Sequence, residues 1–388
     1  MGEKKISSLY SIKDLVTKKR HLHCAAQKVL NNGGCGGIDG VEVEEFRENY
    51  TKNMSALYRQ LTEDRYEPQP VLRTYISKGN GEQRPLGIPV IKDRIAQQAV
   101  KQILEIHFEE IFCDCSYGFR PNRSTEDAIK KVEEYKEQGY NWVLDADVKS
   151  YFDTIDHEIL MELIAEEVSD GWVLDIIRSW LTIGVMTEQG REETTEGTPQ
   201  GGVISPLLAN IYLHHFDKKM RCRGYKIVRF ADDFIIMAKS KAKAERALEV
   251  TRQIIENELN LRLHPRKTVI TNFDDGFKFL EFRFYNGDYK MPKESSIKSF
   301  KDKVRKKTKR NRSIGVAVMI DELNLIIRGW GNSFLLGNVK GLYKRLDGWI
   351  RMRLRCFIEG KKAKGQNYRL PNKILRDLGL ESLLTDVL

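Results

Sequence analysis

The chain has 388 residues, 41% of them hydrophobic, and a formal net charge of +10. That length supplies a sizeable core and room for two or three domains, and no run approaches the ~18 consecutive apolar residues of a membrane span. The opening "MGEKKISSLYSIKDLVTKKR" has no apolar stretch of the secretory kind, so a cytoplasmic bacterial chain with reduced cysteines is expected, with no membrane partner and nucleoid association as an option.

The charge is unevenly spread. Residues 291–388 hold 23 Lys/Arg against 9 Asp/Glu, a net +14, and the rest of the chain nets −4. A basic module joined to a near-neutral one points to a polyanionic partner, most often nucleic acid.

In chain order, residues 8–31 read as a helix, "NNGGCGGIDG" (31–40) as a Gly/Asn loop and 41–63 as a further helix. "PVLRTYISKGNGEQRPLGIP" reads as a β-hairpin, with a strand at 71–77, a turn at Gly79-Asn80-Gly81 and an extended return to Pro89. Helices follow at 90–112 and 124–138, the second with Ser124 and Asp127 at capping-box spacing. Residues 142–148 alternate like a strand, the period turns helical from Asp156, and 171–183 is helical again. "EGTPQGGVISPLLANIYLHHFDKKM" reads as a Gly/Pro loop followed by a helix from about Pro206. "YKIVRFADDFIIMAKS" reads as two short strands around the Ala231-Asp232-Asp233 turn. A charged amphipathic helix spans 241–259, and "LRLHPRKTVI" and "FKFLEFRFYN" look like strands. From about 295 the pattern is helical and basic, with loops at 337–341 and 360–371. Without regular βαβ alternation the class is α+β for 1–290, followed by an all-helical tail.

Two adjacent aspartates inside the apolar run "VRFADDFIIMAKS" need an explanation, because buried like charges oppose each other's ionisation. A glycosidase-type acid/base pair wants carboxyls facing each other across a substrate, whereas neighbours on a strand point to opposite faces. A metal answers the problem better. Mg²⁺ takes oxygen ligands from one or two carboxylates plus phosphates, and two such ions serve phosphoryl transfer. A further carboxylate from another strand is then required, and "LDADVKSYFD" offers Asp145 and Asp147, either of which could face inward. The rival readings are a polar hairpin turn for Asp232 and Asp233 and a surface strand position for Asp147.

"FADD", "LDADVKSYFDTIDH", "GTPQGGVISPLLANIYL", "RPLGIPVIKDRIAQQAV", "SYGFRPNRSTEDAI" and "NNGGCGGIDGV" together resemble the motifs of a reverse transcriptase, in the family's order. "LNLIIRGWGNSFLLGNVKGLYKRLDGWIRMRLR" resembles the thumb and maturase region of the group II intron-encoded members. The resemblance implies a right-hand polymerase: an N-terminal extension with part of the fingers (1–70), fingers and palm with an antiparallel palm sheet (71–290), and a helical basic thumb/maturase domain (291–388). It implies two Mg²⁺ ions, with Mn²⁺ as a substitute, on Asp147, Asp232, Asp233 and the Val148 carbonyl. It implies nucleotide contacts from Lys78, Arg84, Tyr151, Phe152, Gln200 and Lys267. Tyr151, with Phe152 next to it, resembles the aromatic gate against a ribose 2′-hydroxyl. RNA or primer contacts are implied for Lys306, Lys307, Lys309 and Arg310, within "KSFKDKVRKKTKRNR", and for Arg345, Trp349, Arg351, Arg353 and Arg355.

The implied partners are group II intron RNA or other structured RNA, an RNA template with a DNA primer, dNTPs and target DNA, with the chain as monomer or homodimer. The implied function is RNA-directed DNA synthesis together with assistance to splicing and retrohoming. The alternatives are a domesticated relative in phage defence, CRISPR spacer acquisition or DNA repair, and a splicing-only maturase. The turn carries Phe230 where the family usually has Tyr, and "FLEF" carries Glu281 where it has Gly. No HNH-type endonuclease is expected.

Overall fold

The computed structural model describes residues 11–77, 83–199, 201–360 and 368–384. The chain divides into two compact units, Met1–Ile270 and Thr271–Leu388.

In the first unit the fingers hairpin pairs β1 (Val71–Ser77) antiparallel with β2 (Gln83–Ile88). The turn at 79–81 lies outside the described residues. A palm sheet contains β3 (Trp142–Asp147), and a short hairpin follows it in the chain, β4 (Val185–Thr187) and β5 (Gly190–Glu192). β4 runs parallel to β1 and extends the fingers sheet. The palm sheet also contains β6 (Lys226–Phe230) and β7 (Asp233–Ala238), with β7 antiparallel to both β6 and β3. Leu144 and Ala146 on one face of β3 enter the core with Phe234 and Ile236 from β7, and Val143, on the other face, is buried as well.

Helices cover the palm. Ser205–Cys222 buries Leu208, Tyr212 and Phe216, and the Phe216 ring lies 4.9 Å from that of Phe234. Thr125–Glu137 starts at the expected capping box, with Ser124 and Asp127 bonded reciprocally. The single helices expected at 8–31 and 41–63 are each broken in two, Ile12–Val16 with Lys19–Asn32 and Val43–Glu48 with Tyr50–Thr62. "LRLHPRKTVI" is not a continuous strand. It makes one antiparallel bridge, Leu263 with Val148, turns through Lys267 N–H donating to His264 O at 3.1 Å, and becomes a strand only at its end, where Val269–Asn272 begins.

In the second unit Phe277–Phe279, Phe282–Phe284 and Lys290–Pro292 form an antiparallel sheet. Phe282 packs on Phe334, which packs on Trp330. Helices Glu294–Lys307, Val316–Asn332 and Lys340–Ile358 bury Phe300, Leu323 and Tyr343 around that aromatic cluster.

Candidate active site

The palm hairpin brings the acids together. Antiparallel register places Asp147, the last residue of β3, opposite Asp233, the first of β7, and Asp233 is also the partner of Phe230. Asp232 sits in the turn, directly after Ala231, whose φ of 59° is left-handed. The three carboxylates therefore arise at one end of one sheet. Burial, and then the negative charge of Asp147, push the Asp232 carboxyl above its ordinary range, with Arg84 and Lys267 pulling the other way. Asp145 lies two positions deeper in β3, opposite Ile235.

The segment after the palm helices completes the cluster. His264 N–H donates to the Asp147 carbonyl and Lys149 N–H to the Arg262 carbonyl, each at 2.8 Å. This pairing buries Val148 and carries Lys267 onto the site, with its ammonium 2.5 Å from Asp147 Oδ2. A cation thus already sits on one of the acids. Among the described residues no three His, Cys, Asp or Glu side chains converge tightly enough to hold a metal by themselves.

The two aromatic candidates separate. Tyr151 is 3% exposed and donates its hydroxyl to the Ala209 carbonyl at 2.5 Å. It belongs to the core, which corrects its expected place against a nucleotide. The left-handed Ser150 (φ 51°) begins the 3₁₀ turn Tyr151–Asp153, and Phe152 stays half-buried, edge-on to the exposed Phe119. The Phe152 carbonyl accepts from Thr198 N–H at 2.7 Å, so the Gly/Pro loop is tied to this turn. In the same loop Gly201 (φ 123°) lies so close to the Gly87 carbonyl that a Cβ would stand 2.4 Å from it. Arg84 is exposed on β2, opposite Ile76. Lys78 and Gln200 lie outside the described residues.

The residues missed by the sequence reading stand behind the turn. Arg229 is fully buried, 0% exposed, and its guanidinium grips Asp217, also 0% exposed, through Nε to Oδ1 at 2.9 Å and Nη2 to Oδ2 at 2.5 Å. Its Nη1 donates to Asn210 Oδ1 at 3.0 Å and to the Ala231 carbonyl at 2.8 Å. Burial works against both charges, but the Asp217 carboxylate holds the guanidinium above its ordinary pKa. The available signal was a lone arginine in an apolar strand, with Asn210 and Asp217 seven residues apart on one apolar helix.

In the second unit the expected basic contacts divide. Lys306, Lys309, Arg310 and Arg345 are exposed, and Arg351 and Trp349 are half-buried, with the Arg305 guanidinium 5.6 Å from the Trp349 ring. Lys307 pairs with Glu322 at 3.1 Å. Arg353 donates to the Thr308 hydroxyl and carbonyl, both at 3.0 Å, and with Lys309 and Arg310 lines a cleft of about 560 Å³. Arg355 departs from the expected stripe. It is 3% exposed and donates to the Leu370 carbonyl and Asn372 Oδ1, each at 2.7 Å, so it fastens the chain instead of facing a ligand.

A family model described as "Reverse transcriptase (RNA-dependent DNA polymerase)" matches residues 76–284, and one described as "Group II intron, maturase-specific domain" matches residues 297–373. The chain is 35% identical over 309 residues to Protein YkfC of Escherichia coli (strain K12), an alignment covering 69% of this chain and 81% of that one. It is 32% identical over 353 residues to group II intron-encoded protein LtrA of Lactococcus lactis subsp. cremoris, covering 74% of this chain and 57% of LtrA.

Proposed function

The chain belongs to the reverse transcriptases, RNA-dependent DNA polymerases, and carries a group II intron maturase-specific domain; from that premise we propose that it stabilises an intron RNA for splicing and copies that RNA into DNA for retrohoming. The observation that carries this reading is the meeting of Asp147, Asp232 and Asp233 at one end of the palm hairpin, inside the matched segment.

Reverse transcriptases depend on a divalent metal. We assign two Mg²⁺ ions, with Mn²⁺ as a substitute, to Asp147, Asp232, Asp233 and the Val148 carbonyl. The donors are all hard oxygens, and a cation relieves both causes of the raised Asp232 pKa, its burial and its negative neighbour. Bound there, the ions would neutralise charge on the reacting phosphate and favour the ionised primer hydroxyl. The bond formed joins the primer 3′-oxygen to the α-phosphorus of a dNTP, and the bond broken releases pyrophosphate.

The chain's own residues orient that exchange. Arg84 and Lys78 hold the triphosphate through charge-assisted hydrogen bonds. Phe152 lies against the sugar and rejects a 2′-hydroxyl by steric clash. Gln200 packs near the templating base. Lys267, which neutralises Asp147 in the free chain, meets the leaving pyrophosphate. The exposed bases of the second unit bind structured RNA and the template–primer duplex, with target DNA as a later substrate and the chain acting as monomer or homodimer.

The test separates synthesis from splicing. Asp147→Asn and Asp232→Asn are expected to abolish primer extension on an RNA template, and Asp233→Asn to impair it severely. Asp232→Asn should still promote splicing of the flanking intron RNA. Substantial extension by Asp232→Asn would sink the site, and loss of splicing in a folded Asp232→Asn chain would contradict a separate maturase role.

A further inference from the structure

Arg229 is a charged residue in the core of the palm, and the synthesis mechanism gives it nothing to do. Its side chain ends on the backbone of the turn that carries the acids: Nη1 donates to the Ala231 carbonyl at 2.8 Å, one residue before Asp232. Ala231 is left-handed without being glycine, a conformation that persists where surroundings enforce it. Three contacts enforce it here. Asn210 holds Nη1 from the helix side and donates its own Nδ2 to the Gly118 carbonyl at 2.8 Å. Gly118 packs so tightly on the turn that a Cβ would stand 2.3 Å from Ala231 N. The Arg229 backbone is clamped as well, its N–H donating to Cys115 O and its carbonyl accepting from Tyr117 N–H, both at 2.8 Å.

A buried ion pair is weak evidence for stability, because apolar residues of similar volume often replace one without loss. What an apolar replacement cannot do is donate to the Ala231 carbonyl from a fixed direction. We propose that Arg229, anchored by Asp217 and Asn210, is a positioning residue: through the Ala231 carbonyl it sets the place of the Asp232 carboxylate relative to Asp147 and Asp233, and so the affinity of the acid cluster for its divalent cation. This inference rests on the assignment of Asp232 to the metal site.

The test uses the full chain with an RNA template and a dideoxy-terminated DNA primer, which binds the next dNTP without turnover. Binding of that dNTP is titrated against Mn²⁺, and the melting temperature is recorded. The double variant Arg229→Met/Asp217→Leu removes both charges, so no ion is left buried and unpaired, and it should fold with a melting temperature lowered only by the loss of the donor to Ala231 and Asn210. Its Mn²⁺ requirement should rise about 10- to 100-fold, as when groups behind metal ligands are lost. On an extendable primer kcat should fall by a similar factor with template–primer affinity unchanged. Arg229→Lys retains a cation for Asp217 but cannot also span Asn210 and Ala231, so it should not restore Mn²⁺ affinity. Full recovery by lysine, or a folded double variant with wild-type Mn²⁺ dependence, would overturn the proposal. Should the double variant fail to fold, Asn210→Ala, which removes no charge, decides by the same titration. Asp232→Asn is run in parallel. If it keeps its Mn²⁺ dependence the metal assignment fails, and if it alone loses it only the role of Arg229 fails.

Discussion

Asp232 is a half-buried carboxylate beside a like charge, a place that favours function over stability of the metal-free chain. Replacing it by Asn keeps the shape and removes the charge. We expect Asp232→Asn to stabilise the metal-free chain, seen as a higher melting temperature, while synthesis is lost. A lower melting temperature would mean that the carboxylate is structural. The neighbouring aromatics make a second residue-scale contrast. Phe152→Ala should raise ribonucleotide incorporation relative to deoxyribonucleotide. Tyr151→Phe removes the bond to Ala209 and should cost about 1 kcal/mol of stability with sugar selectivity unchanged. Selectivity that follows Tyr151 would reverse the assignment. A third residue, Cys113, has its thiol held down to about 4 by a hydrogen bond from Cys115, with His214 and Arg221 adding to the effect. A lowered thiol pKa means a thiolate above that value, so alkylation of Cys113 by iodoacetamide should vary little between about pH 6 and pH 8. An ordinary thiol would accelerate about a hundredfold over the same range. Cys113→Ser should remove the component that reacts at low pH, and a steep pH dependence of that component would refute the thiolate.

At the scale of elements, the palm hairpin is the unit that matters, and the chain announces it through local chemistry. The strand at 142–147, the two apolar strands β6 and β7 and the acid turn between them were legible because strand composition and turns are written in neighbouring residues. The capping box at Ser124 was legible for the same reason. What was not legible depends on partners far away in sequence. β4 is three residues long and becomes a strand by lying parallel to β1. Residues 261–268 have strand-like composition but spend their hydrogen bonds on residues 147–149 and on a turn. Tyr151 and Phe152 are indistinguishable by composition, and the left-handed Ser150 decides which ring enters the core. Gly118 shows how such a long-range contact can be tested. Gly118→Ala would press a methyl onto the turn at Ala231, an overpacking that costs about 1–3 kcal/mol if the turn holds and shifts the acids if it yields. Synthesis should fall by more than the loss of stability explains, measured as kcat on chain that remains folded. A folded Gly118→Ala variant with wild-type kcat would show that the turn tolerates displacement.

For the molecule as a whole, the excess of positive charge belongs to the second unit, while the first is near neutral. Members of this family bind RNA, and affinity for a polyanion is carried by released counterions, so it falls with salt at a slope set by the number of phosphates neutralised. Net charge alone overstates that number, because some of the bases are committed inside the fold. Arg312 and Lys307 are paired to Glu322, and Arg355 is buried against residues 370–372. Lys309 and Arg310 are exposed at the cleft shared with Arg353. The two kinds of base should therefore respond differently to the same measurement. Lys309→Glu/Arg310→Glu should weaken binding of structured RNA, reduce the slope of log K against log salt by about two, and leave the melting temperature near wild type. Arg355→Ala should lower the melting temperature, since it leaves the Leu370 carbonyl and Asn372 without their donor, and leave the salt slope of the folded fraction unchanged. A loss of slope in Arg355→Ala, or its retention in the double glutamate variant, would mean that the RNA reads a different face of this unit.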